Sequence, residues 1–171
     1  MAKINSETIL QIEDSNQLID FITKNINLPE NFDILRKEIF ELLPDYAQYI
    51  ILIFEFDTEY NMQGIFTILE NSIGHYLMEI AISFDKTNNV KISLQIKELL
   101  KTLIDHNLTP DIISNGWINN NSQYDILLSS SINDELTKKI YQINEKLSSI
   151  IIKEGYWDNV IKFVENELKK R

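Results

Sequence analysis

Apolar residues recur three and four positions apart along most of this chain, and very little interrupts them. Leu136, Ile140, Ile143, Leu147 and Ile150 form one such stripe, and Ile92, Ile96, Leu99, Leu100 and Leu103 form another. Only four Gly and three Pro occur in 171 residues. A sandwich or barrel of short strands needs a turn about every 8–12 residues, usually built from such residues. Asn can fill part of that role, but the scarcity favours long helices. The length suits one domain with one core.

The boundaries follow from local chemistry. Asp14-Ser15 opens a helix carrying Leu18, Ile19, Phe21 and Ile22, while Ile9–Ile12 before it reads as a short strand or a helical extension. Leu28-Pro29-Glu30 breaks the chain, and Phe32, Leu35, Ile39, Leu42 and Leu43 then keep helical spacing until Pro44. From Tyr46 the stripe continues through Ile50, Ile53, Met62, Ile65, Phe66 and Leu69 as one buried helix. The run Ile50–Phe54 is also β-favouring by propensity, so it fits a strand as well as a helix on local grounds. Asn71–Gly74 ends it, with Gly74 placed as a C-terminal cap.

Leu77, Ile80, Ala81 and Phe84 mark the next helix, and Thr87-Asn88-Asn89 turns into the one that ends near His106-Asn107. Residues 109–123 lose the pattern and read as an irregular exposed loop. Gly155 separates a final helical pair within 131–168. The expectation is an all-α, single-domain bundle of about seven or eight helices over residues 1–171. Tyr124, Ile126, Leu127 and Leu128 are left over, to cover a core or a dimer contact, so a homodimer stays open.

Charge is distributed unevenly. Residues 1–60 hold twelve Asp or Glu against four Lys or Arg, a net −8 of the total −10, whereas residues 131–171 carry +1. Such acidity opposes direct binding to nucleic acid. It serves solubility, or it forms a surface for a basic partner. The absence of Cys excludes disulfides, thiolate catalysis and cysteine zinc sites. The start lacks the apolar core of a signal peptide, and Tyr46–Phe54 is about half the ~20 residues of a membrane span. The expectation is a soluble cytoplasmic protein with no membrane partner.

Catalytic signatures are missing. There is no nucleophile elbow, phosphate-binding glycine loop or Ser-x-x-Lys. His75 and Glu79 stand four apart, one helical face if the helix includes both, but a metal centre needs three or more ligands and a helix-end histidine explains His75 as well. Glu55 and Glu59, also four apart, would do acid–base work only if buried together with a third group. Lys138, Lys139, Lys146 and Lys153 are interleaved with Glu135, Glu145 and Glu154, a solvated face rather than a nucleic-acid stripe. No metal or other cofactor is expected.

Helical carboxylates three or four apart have Cβ atoms ~5–6 Å apart. That approaches the phosphate spacing of a nucleic-acid strand, one charge per ~3.4 Å of axis. Glu38, Glu41 and Asp45 follow this spacing, with Pro44 intervening, and so do Glu55 and Glu59, with Asp57 between them. An ordinary solvated face accounts for the same rows.

The stretch Glu55-x3-Glu59-Tyr-Asn61-Met-Gln-Gly64, then Glu70-Asn71-Ser72-Ile-Gly74-His-Tyr76, then Ala81-x2-Phe84, resembles the central signature of a bacterial all-helical family that includes the DMP-type DNA-mimic proteins. The resemblance covers mainly residues 50–104. Asn61 and Gly64 stand apart here, separated by Met62 and Gln63, and the aromatic is displaced to Phe66. The resemblance implies an all-α fold and, for the studied branch, dimers whose carboxylates imitate duplex phosphates and occupy a DNA-binding protein. Asn61, Gly64, Asn71, Ser72, Gly74 and Tyr76 are expected to set helix junctions: the asparagines by capping ends, the glycines by close approach or positive φ.

Three functions from different classes remain. The first is a non-enzymatic acidic interaction module, in specific form a DNA mimic, binding a basic protein through Glu38, Glu41, Asp45, Glu55, Asp57 and Glu59. The second is an immunity or antitoxin protein neutralising a basic toxin. The third is a metal-dependent helical enzyme using His75, Glu79 and neighbouring carboxylates.

Overall fold

A computed structural model describes residues 3–35, 37–108 and 133–171. Among the described residues there are nine α-helices and no strand. They are α1 (Ser6–Leu10), α2 (Ser15–Asn25), α3 (Lys37–Phe40), α4 (Asp45–Gln63), α5 (Ile65–Glu70), α6 (Leu77–Lys86), α7 (Val90–Asp105), α8 (Asn133–Lys153) and α9 (Tyr156–Leu168). Two 3-10 turns, Pro29–Asn31 and Ser72–Tyr76, join them. Six of the nine have seven residues or more, so the all-α expectation holds and the extra count comes from short pieces. The expected loop 109–123 and the residues Tyr124, Ile126, Leu127 and Leu128 lie outside the described residues.

Helix α4 is the axis of the bundle, touching α2, α5, α6 and α9. Ile50, Ile51, Leu52 and Ile53 are all buried, and four consecutive buried residues cover every side of a helix. A helix apolar all round belongs in the interior, and this resolves the ambiguity of that β-favouring run. Each such side chain contributes about 1.5–3 kcal/mol on burial. Around α4 one continuous core gathers Leu18 and Ile22 of α2, Phe84 of α6, Leu99 and Leu103 of α7, Leu147 of α8 and Val160 and Val164 of α9.

Two turns explain how a chain so poor in glycine still reverses. Asn88 and Asn107 both take positive φ of 61°. After α6 the Asn89 N–H donates to the Phe84 carbonyl at 2.7 Å, and after α7 the Leu108 N–H donates to the Leu103 carbonyl at 2.9 Å. These are Schellman endings with asparagine at the left-handed position, which it tolerates better than other non-glycine residues.

Two expected helices differ. The run from Tyr46 to Leu69 is split at Gly64, where φ 70° and ψ −147° end α4 and begin α5. A Cβ there would lie 2.4 Å from Asn144 Oδ1, because that oxygen accepts the Ile65 N–H at 3.0 Å. Asn144, on α8, thus caps a helix start 79 residues away, and its carbonyl accepts the Tyr60 hydroxyl at 3.2 Å. The stripe from Phe32 to Leu43 yields only the four-residue α3, with Ile34, Phe40 and Leu43 buried but Phe32 and Leu42 exposed. The segment is held by side-chain ties instead, including the Tyr76 hydroxyl to the Leu35 carbonyl at 2.6 Å.

Candidate functional site

The acidic residues divide into two groups. In residues 1–45 there are nine, namely Glu7, Glu13, Asp14, Asp20, Glu30, Asp33, Glu38, Glu41 and Asp45, and every one is exposed. Part of this has a local cause, because the N-terminal region contains many helix starts. Glu7, Glu30, Glu38 and Asp45 sit in first turns, where the helix dipole favours negative charge. Asp14 is the N-cap of α2, its Oδ1 accepting the Gln17 N–H at 2.8 Å. Asp20 pairs with Lys24 one turn along α2 at 2.5 Å. Glu38, Glu41 and Asp45 do not share one helix: α3 ends at Phe40, and Pro44 precedes α4.

The second group lies on the C-terminal half of α4 and is half-buried. Asp57 accepts the Tyr156 hydroxyl, the Asn61 side-chain amide at 3.1 Å and, more distantly, the Trp157 indole N–H at 3.5 Å. Burial drives the Tyr156 hydroxyl pKa well above its ordinary value, and the Asp57 carboxylate adds to it. Glu59 accepts the Asn71 side-chain amide. Burial also pushes the Glu55 carboxyl upward, with a smaller contribution from the Glu59 carboxylate one turn away. Asp57 therefore fastens α4 to α9, and Glu59 fastens it to the turn after α5. Glu55 and Glu59 share a face of α4, while Asp57 lies on the opposite side, so the three do not make one row.

Gly64 and Gly74 sit where a Cβ would meet a close neighbour, but the two asparagines do not cap ends with their side chains. Asn61 is exposed within α4 and caps nothing; its amide reaches back to Asp57. Asn71 occupies the N-cap position of the 3-10 turn without a side-chain cap, and its amide donates to Glu59. Gly74 is not a C-terminal cap. It lies inside that turn, where a Cβ would come 2.5 Å from the Ile68 carbonyl oxygen. The backbone of Ser72 belongs to the same turn. Tyr76 reaches the Leu35 carbonyl and lies 6.5 Å from the Phe40 ring, tying the α3 region to the start of α6.

His75 belongs to the 3-10 turn and Glu79 to α6, so they share no helical face, and both are exposed. Among the described residues no group of three or more His, Asp or Glu is placed to hold a metal ion. No described helix is long and apolar enough to cross a membrane.

Two polar residues matter that the sequence pattern does not single out. Asn144 is one. Asn89 is the other: it is 1% exposed, donates to the Tyr156 carbonyl at 3.2 Å and accepts from the Asn159 amide at 2.9 Å. An asparagine beside Ile143 in an apolar stripe was the available signal for the first. For the second it was an asparagine directly after a turn. No protein-family model, curated protein or solved structure matches this chain.

Proposed function

We propose that the chain is a non-enzymatic acidic interaction module that engages a basic protein through the carboxylates of residues 7–45, Glu38, Glu41 and Asp45 among them. The observation that carries this reading is the exposure of all nine acidic side chains in that stretch. Helix-start chemistry accounts for five of them, Glu7, Asp14, Glu30, Glu38 and Asp45, and still leaves their charge facing solvent. In its specific form the partner is a DNA-binding protein and the carboxylates stand in for phosphates, as the likeness of residues 50–104 to the DMP-type family implies. Asp57 and Glu59 are engaged within the bundle, by Tyr156 and Asn61 and by Asn71, and are not part of the proposed surface.

The test is capture of partners on the immobilised chain, elution across a salt gradient and competition with duplex DNA. A DNA-binding protein released by moderate salt and displaced by DNA supports mimicry, provided that Glu38→Lys, Glu41→Lys and Asp45→Lys together abolish its capture. Screening acts on exposed charge, so affinity falls steeply with salt. Retention of the same protein by the charge-reversed variant would sink the reading. A single basic partner resistant to both salt and DNA would replace mimicry with an immunity-type role.

A further inference from the structure

Four large apolar side chains stand exposed on the hairpin of α6 and α7: Met78 at 48%, Ile82 at 40%, Val90 at 45% and Leu94 at 54%. Single exposed apolar residues need no explanation, but this hairpin gathers its four together. Its helices run antiparallel through the short turn at residues 87–89, and the buried Ser93 hydroxyl donates to the Ala81 carbonyl at 2.7 Å across the seam. Met78 and Asp85 lie three before and four after Ala81, and so share its side of α6, the side that meets α7. Val90 and Lys97 stand in the same relation to Ser93 on α7. Ile82 and Leu94 each follow one member of the bonded pair and stand four from Met78 and Val90 respectively, so they widen the patch towards solvent.

The patch carries one charge of each sign at its ends. Because the helices are antiparallel, Lys97 lies at the Met78 end of the seam and Asp85 at the Val90 end. Both are exposed, and neither makes an ion pair among the described residues. The wider hairpin is electrically balanced, with four acidic and four basic residues between 77 and 105, in a chain whose net charge is −10. Two copies of so acidic a chain repel one another through most faces. A balanced, apolar face with opposite charges at its two ends is matched to itself.

We propose that this hairpin face is a contact between two copies of the chain, related by a two-fold axis running across both helices. Such an axis turns the seam end for end. Lys97 of one copy then lies opposite Asp85 of its partner, twice over, while Leu94 and Ile82 each meet their own symmetry mate. A two-fold axis along the helices would instead set Lys97 against Lys97. Four side chains supply only part of the ~800 Å² per partner of a standard interface, so the dimer is weak and forms with rising concentration.

The experiment is sedimentation velocity of the full chain over about a hundredfold range of concentration. Wild type is expected to pass from monomer towards dimer across that range. Ile82→Ser with Leu94→Ser should weaken self-association by about tenfold or more, with an unaltered circular dichroism spectrum. Lys97→Asp alone and Asp85→Lys alone should each weaken it, because each sets like charges against one another. The two together should restore it, because the exchanged charges are again opposite. A chain that stays monomeric throughout overturns the contact, as does a dimer that persists undiminished in the variant at Ile82 and Leu94. A double charge exchange no better than either single one overturns the two-fold arrangement.

Discussion

The carboxylates of residues 7–45 and those of residues 55–59 carry the same charge and lie within one short stretch of sequence, yet they have opposite fates. The first group is exposed on short helices and their starts, where most of its cost is already met by water and helix dipoles. The second group sits half-buried on the central helix, where Asp57 and Glu59 accept hydrogen bonds from Tyr156, Asn61 and Asn71. On the central helix the carboxylates of Asp57 and Glu59 fasten neighbouring elements, whereas those on the short peripheral helices and turns face solvent. Net charge alone does not distinguish the two.

The contrast is sharpened by removing one member at a time and measuring stability by denaturant titration. Asp57→Ala has the largest expected effect. It strands the buried Tyr156 hydroxyl and releases Asn61, a cost of about 2–3 kcal/mol, and it should appear as a lower midpoint with unchanged slope. Asn71→Ala frees the Glu59 carboxylate and should cost about 1 kcal/mol. A loss as large as that of Asp57→Ala would mean that the turn after α5, not α9, is the principal anchor of α4.

Glu55→Gln should act in the other direction and more weakly. The folded-state pKa of Glu55 is raised, so the folded protein binds that proton more tightly than the unfolded chain. Its ionisation therefore opposes folding above the folded pKa, and this penalty disappears as pH falls towards the ordinary value of 4.5. The variant should be more stable than wild type at neutral pH and indistinguishable from it in acid, which paired melts at the two pH values would reveal. The smallest effect belongs to the exposed group: Glu13→Gln should change stability by less than about 0.5 kcal/mol. A loss comparable to that of Asp57→Ala would erase the distinction between the two groups.

The long helices were legible because burial is one-sided in them. The stripes of α6, α7, α8 and α9 repeat at helical spacing, and the asparagines after α6 and α7 mark their ends. What escaped the pattern depends on contacts distant in sequence. Gly64 breaks a stripe that looks continuous because Asn144 supplies the acceptor for the next helix. The residues from Phe32 to Leu43 have helical spacing but are shaped by Asn31, Ser6 and Tyr76, ties that no local periodicity encodes. Within the acidic region, Asp57 and Glu59 could be told from Glu38 and Glu41 only by their place on the helix whose preceding turn, Ile50–Ile53, is apolar on every side.

The cap that Asn144 provides for α5 also sets an order of events during synthesis. When Ile65 leaves the ribosome its N–H is left to water, and the residue that accepts it in the folded protein is 79 positions further along. At about 5–20 residues per second, that partner follows roughly 4–16 seconds later. Until then the corner between α4 and α5 lacks the cap that starts α5, so this junction next to the central helix is made early and finished late.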